Sequence, residues 1–205
     1  MIQQAGLGEI VLAAFLASVV GRLARMRAYG GTDVGEPDIH LWQQSNPVVT
    51  EALVQLTWGG PQVLYNGGLQ QARVRYYDAD RQRPGLPSCV AALVSSIEPH
   101  ATVVDLVNLD PERSRTVIVQ AGAFAEHTIG AVRYTASPDD SWLGSLYDYG
   151  HGEPAVVEHG ADVGGPWLTV ELPASTRVTL TLDMSMHTRT PSYATPFDGG
   201  LPERA

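Results

Sequence analysis

Within residues 38–46 the chain gathers a carboxylate, an imidazole, an indole and two side-chain amides, in the order Asp38-Ile39-His40-Leu41-Trp42-Gln43-Gln44-Ser45-Asn46. An indole face stacks on the apolar side of a pyranose, while amides and carboxylates take its hydroxyls. Read as a loop at the mouth of a helix, the segment is a candidate carbohydrate contact. Its plainer role is a capped, hydrogen-bonded connection. In Tyr65-Asn66-Gly67-Gly68 the paired glycines suggest a turn with positive φ, which would hold Tyr65 and Asn66 where they could line the same cleft. The candidate substrate-binding set is therefore Asp38, His40, Trp42, Gln43, Gln44, Tyr65 and Asn66.

Glu126-His127 places a carboxylate beside an imidazole, the pairing used for acid–base work and metal ligation. On a strand, adjacent residues point to opposite faces, so packing and hydrogen bonding at a sheet edge is the reading preferred for them. His40, His100, His127, His151, His159 and His187 show no close metal-ligand spacing, and neither a metal nor a cofactor is expected. Glycoside hydrolysis generally needs two carboxylates across a cleft. Asp33, Glu36 and Asp38 crowd one loop and Asp139-Asp140 another, where caps and solvated turns account for them. No phosphate loop, nucleophile elbow, paired-cysteine motif or zinc-helix motif is present. The single Cys89 lies beside Val90, Ala91, Ala92, Leu93 and Val94, and reads as a small buried hydrophobe of a helix core.

The elements that would position these groups belong to a chain of 205 residues, 44% hydrophobic and 17% charged, with 21 Gly and 14 Pro. That composition folds, and it is richer in turns than in long surface helices. The formal charge is -9 and all 13 basic residues are arginine. Scattered cations on an acidic chain give no footprint for phosphate backbones or anionic lipid, so nucleic acid and membrane are not expected partners. The apolar run at residues 10–20 is shorter than the roughly 20 residues a bilayer requires. It is preceded by Glu9 and followed by Arg22, Arg25 and Arg27, the reverse of a secretory leader and the polarity that suits a helix dipole. With one cysteine and no leader pattern, a cytoplasmic location is expected.

Helical periodicity marks residues 3–28, ended by Gly30-Gly31, and residues 48–58, opened by Asn46-Pro47 and stopped by Gly59-Gly60-Pro61. A third helix is predicted over residues 88–97, and a short half-buried strand over 72–77. Beyond residue 100 the period becomes two, and strands are predicted over 102–109, 115–120, 128–134, 155–159, 167–172 and 176–184. In the last of these Val178, Leu180, Leu182 and Met184 face one way and Arg177, Thr179, Thr181 and Asp183 the other. Residues 137–154 form a Pro-, Asp- and Gly-rich insertion, and the tail after Pro191 reads as a surface strap. The fold class is α+β: a helical segment over 1–98, an antiparallel β-sandwich over 99–197 and a tail over 198–205.

The first helix is expected to be buried on most sides, more than one neighbour within this chain can achieve. Either a second copy covers it, giving self-association through the N-terminal helix, or residue 1 is an internal point of a longer protein. The run Trp58-Gly59-Gly60-Pro61, Leu64-Tyr65-Asn66-Gly67-Gly68-Leu69, Arg73-Val74-Arg75-Tyr76-Tyr77-Asp78 and Arg83-Pro84-Gly85-Leu86-Pro87 resembles the closing part of large bacterial proteins with a six-hairpin, α/α-toroid glycosidase-like region. Leu106-Val107-Asn108-Leu109, the run from Arg115 to Phe124, Glu126-His127, Thr190-Pro191-Ser192-Tyr193 and Pro196-Phe197 resemble the β-sandwich that closes them. The resemblance covers residues 38 to 197. It implies that the helical segment is the end of an α/α toroid and the chain a non-catalytic C-terminal portion of a carbohydrate-active protein. It brings no catalytic residues with it. The alternative is a stand-alone, non-enzymatic sandwich that binds a glycan or a protein.

Overall fold

Alternation of apolar and polar residues over Arg177–Ser185 drives those residues into a strand whose side chains are buried and accessible by turns. In the computed structural model this strand, β9, lies at the centre of a five-stranded sheet. The structure describes residues 7–31, 35, 40–47, 51–60, 72–136, 157–187 and 189–199, and among these the side chains of all but residues 7, 8, 42, 51, 136 and 157. Among the described residues three helices, α1 (Leu7–Ala28), α2 (His40–Ser45) and α3 (Glu51–Trp58), precede nine strands. The strands are β1 (Val74–Asp78), β2 (Arg83–Pro84), β3 (Val90–Ile97), β4 (Ala101–Asn108), β5 (Arg115–Ala121), β6 (Thr128–Ala136), β7 (Val157–Gly165), β8 (Trp167–Leu172) and β9 (Arg177–Ser185).

One sheet has the order β2-β1-β5-β8 and the other β3-β4-β9-β6-β7, with every pairing antiparallel. The inward residues of both sheets make one core. Val74, Tyr76, Val117, Val119, Leu168 and Leu172 come from the smaller sheet; Val94, Val104, Leu106, Val132, Leu180 and Leu182 come from the larger. The molecule is thus α+β with an antiparallel β-sandwich, as the change of period indicates. Consecutive strands β4, β5 and β6 alternate between the sheets, so the β5–β6 connection crosses the end of the sandwich.

Two expectations for the first hundred residues are corrected. Residues 90–97 form strand β3 instead of a helix, and with β1 and β2 they carry the sheets back to Val74, well before residue 99. A short, continuous apolar run such as Val90-Ala91-Ala92-Leu93-Val94 suits either structure by periodicity. The neighbour decides it: β4 pairs along the full length of β3, while α3 and α1 lie against it. Cys89 is exposed and has φ 64°, ending the turn that feeds β3, so it is not a buried helical residue.

The second correction lies beside α1, a helix that its neighbours in this chain leave uncovered, as expected. Of its described side chains only Val11 is buried, while Leu12, Leu16, Val20, Leu23 and Met26 are exposed. Residues 40–45, expected as loop, are helix α2, tied to α1 by arginines. Arg22 Nη1 donates to the carbonyls of Gln43 (3.2 Å) and Asn46 (2.9 Å), and Arg25 Nη1 to that of Gln44 (3.2 Å). These are the carbonyls a helix leaves unpaired at its C-terminus, and cations there also suit its dipole. Residues 48–50 and the insertion over 137–154 lie outside the described residues.

Candidate functional site

The richest concentration of buried polar side chains lies where β5 leaves the smaller sheet and β6 enters the larger. Gly122 (φ 84°) and Ala125 (φ 55°) turn the chain sharply between them. The turn brings the carbonyls of Gly122 and Ala123 over Gln120, whose Nε2 donates to each at 3.0 Å. Gln120 Oε1 accepts from Tyr77 Oη (3.2 Å) and Trp167 Nε1 (3.0 Å), so this buried amide of β5 joins β1 and β8, its neighbours in the sheet, to the turn. Arg75 adds a bond to the Ala123 carbonyl at 3.3 Å and stacks on the Tyr77 ring.

Glu126 and His127 occupy the turn, ahead of β6, and both are buried. The reasoning that placed them on opposite faces of a strand therefore does not apply. His127 Nε2 stands 3.7 Å from Glu126 Oε1. Glu126 Oε2 accepts the Phe124 backbone N–H at 2.7 Å, and the carboxylate is folded against Gly122, where a Cβ would collide with it. His127 Nδ1 accepts the His187 backbone N–H at 2.7 Å. An imidazole nitrogen that accepts carries no proton, so the ring is neutral with its hydrogen on Nε2, toward Glu126. Burial pushes the His127 imidazole below the ordinary histidine range; Glu126 draws it back up, and His187 and Arg73 press it down further.

Residues 186, 187 and 189–199 lie across this turn as a strap, which begins ahead of the tail after Pro191 expected from the sequence. Arg189 N donates to the Glu126 carbonyl and Ser192 N to that of Phe124, each at 2.9 Å. The Phe124 and Tyr193 rings meet edge to face at 5.7 Å, as do Tyr77 and Phe197 at 5.9 Å. Phe197 thereby covers Tyr77 and Ile118 on the outer side of the smaller sheet.

A carboxylate and an imidazole this close could exchange a proton with a substrate only if an atom of each faced a cleft. Here Nδ1 and Oε2 are both committed to backbone N–H groups, and the arrangement acts as a clamp on the strap. Among the described residues no three His, Cys, Asp or Glu are grouped to hold a metal ion. Of the sequence-predicted binding set, the members within the described residues share one short helix. His40, Gln43 and Gln44 are exposed on α2, which also contains Trp42; Asp38, Tyr65 and Asn66 lie outside the described residues. Among the described residues no helix is long and apolar enough to cross a membrane. Sequence reasoning missed His187 as the partner of His127, because the two lie 60 positions apart and only the strap unites them.

Comparison with protein-family models, with curated proteins and with solved structures finds no match to this chain.

Proposed function

We propose that the chain is a non-catalytic portion of a carbohydrate-active, glycosidase-like protein of the cytoplasm, in which the β-sandwich braces a helical region that continues beyond α1–α3. The observation that carries this reading is the outward face of α1. Leu12, Leu16, Val20 and Leu23 recur at helical spacing, and Leu16 and Val20 are 53% and 65% exposed. A row of large apolar side chains in water is what a helix in a packed layer presents to its next neighbour. The closing part of an α/α toroid, which the sequence resembles, would present such a row.

The placement of the helices supports the same reading. α1 and α3 lie along edge strand β3, and the partly buried Trp58 at the end of α3 packs onto the sandwich core. An edge covered in this way resists pairing with foreign strands, and its cover links sandwich and helices mechanically. The sandwich supports the helices while its own Glu126 and His127 are occupied in holding the strap. Asp38, His40, Trp42, Gln43, Gln44, Tyr65 and Asn66 would then contribute one rim of a carbohydrate cleft whose acid and base lie elsewhere.

A panel of aryl glycosides tests the catalytic half of the proposal: the chain alone should turn over none. Turnover that Asp38→Ala or Glu126→Ala abolishes would overturn it. The genomic sequence upstream tests the structural half. Continuation of the reading frame into further helical hairpins is expected; a frame closed directly ahead of residue 1 would favour the stand-alone glycan- or protein-binding module.

A further inference from the structure

The strap is held by a hydrogen bond that one proton can abolish. We infer that His127 is a proton-operated latch: neutral, it fastens the strap across the β5–β6 turn, and on protonation it releases the strap while the sandwich stays folded. At 2.7 Å the His187 N–H points at Nδ1, which accepts only through its lone pair. A proton on that lone pair turns the contact into two opposed donors, and the strap must withdraw.

Three further observations place the switch here. The strap is lightly attached: residues 189–194 are all exposed, and among the described residues the backbone bonds that pin its first half to the turn are those of His187, Arg189 and Ser192. Both sides of the latch are backbone-strained, since Ala125 (φ 55°) and His187 (φ 54°) are left-handed without being glycine. Strain of this kind persists only while surrounding contacts enforce it, and it favours opening once one of them fails. Opening also concerns little of the core, because β6 and β9 remain paired beside the turn.

The groups that face the ring set the direction. Glu126, from the same turn, favours the charged ring at 3.7 Å. His187 from the strap and Arg73 from the segment leading into β1 oppose it, as does burial, which is the largest influence. The His187 ring meets that of His127 edge to face at 5.0 Å, and the Arg73 guanidinium is held at 2.9 Å from the Met186 sulfur. The latched ring therefore takes a proton less readily than the released one, so proton uptake drives release. Latching is complete above the released ring's value of about 6.5 and is lost progressively as pH falls below it.

Hydrogen exchange on the full chain, corrected for intrinsic rates, tests the latch at the amides of His187, Arg189 and Ser192. With the released ring near its ordinary value, protection there should fall about tenfold between about pH 7.5 and about pH 5.5, while β4 and β9 keep theirs. His127→Asn keeps an acceptor near the Nδ1 position without a titrating ring, so its protection should be independent of pH. His187→Asn should keep a pH-dependent loss, with its midpoint free to move because the His187 ring bears on His127, since its own ring is not the latch. A pH-independent wild type, or an unchanged loss in His127→Asn, would overturn the inference. Imidazole titration of the wild type by nuclear magnetic resonance needs no variant: His127 and the strap amides should share one midpoint, and separate midpoints would also overturn it.

Discussion

Replacing Gly122 with alanine should be among the most damaging single-methyl additions in the sandwich, and its cost can be built from two separate sources. At φ 84° the backbone is left-handed, which costs a non-glycine residue about 1–2 kcal/mol. The new Cβ would also fall on the Glu126 carboxylate and push it off the Phe124 N–H, a charge-assisted bond of about 1.5–3 kcal/mol. The carboxylate cannot retreat cheaply, because it is buried and stands beside His127. The two contributions together give a loss of about 2.5–5 kcal/mol, a large share of the stability of a typical domain. Urea unfolding followed by tryptophan fluorescence measures it, and a double-mutant cycle separates the sources. In a Glu126→Ala background the carboxylate is already gone, so adding Gly122→Ala should cost only the backbone part. Costs that simply add, or a Gly122→Ala loss below about 1 kcal/mol, would refute the clamp as described.

Two further substitutions probe the polar groups that hold the sandwich. Tyr76 is fully buried, its hydroxyl has no hydrogen-bond partner among the described residues, and burial raises its phenol far above the ordinary range. Tyr76→Phe should therefore stabilise the fold by about 1 kcal/mol in the same urea assay, and a loss of that size would show that the hydroxyl has a partner. Asn108 joins two connections at one end of the sandwich. Its Nδ2 donates to the carbonyls of Arg113 (2.8 Å), Leu172 (3.1 Å) and Pro173 (3.0 Å), and its Oδ1 accepts from Asp110 N (3.0 Å). Asn108→Ala strands these carbonyls and should cost about 2–4 kcal/mol, whereas Asn108→Asp, which sets a carboxylate against them, should be worse. Equal stability of Asn108→Asp and the wild type would contradict that assignment.

The parts of this fold legible in the sequence are those where one face of an element is wet and the other dry. Strand β9 alternates along its whole length because its outer side chains reach solvent, and β8 is bounded by Pro166 and Pro173. Strand β1 alternates too, yet both of its faces are buried, because a strap residue more than a hundred positions later covers Tyr77. β3 was hidden by its continuous apolar run, and the turn before it by a cysteine in a conformation ordinarily left to glycine. The Glu126-His127 pair was visible as chemistry but not as geometry. Gly122 announces a turn, whereas the left-handed Ala125 that takes both residues out of the strand carries no sequence mark. The partner of His127 is a backbone N–H, which every residue but proline possesses, and no residue type identifies it.

The bracing role rests above all on the uncovered apolar face of α1. It is tested most directly by sedimentation of the full chain with and without an apolar-surface dye, alongside the double variant Leu16→Glu/Val20→Glu. Both substituted positions are exposed, so the variant should melt as the wild type does. The bracing role predicts that the wild type binds dye and associates with itself as concentration rises, and that the variant does neither. A wild type that remains monomeric, melts cooperatively and binds no dye would contradict it.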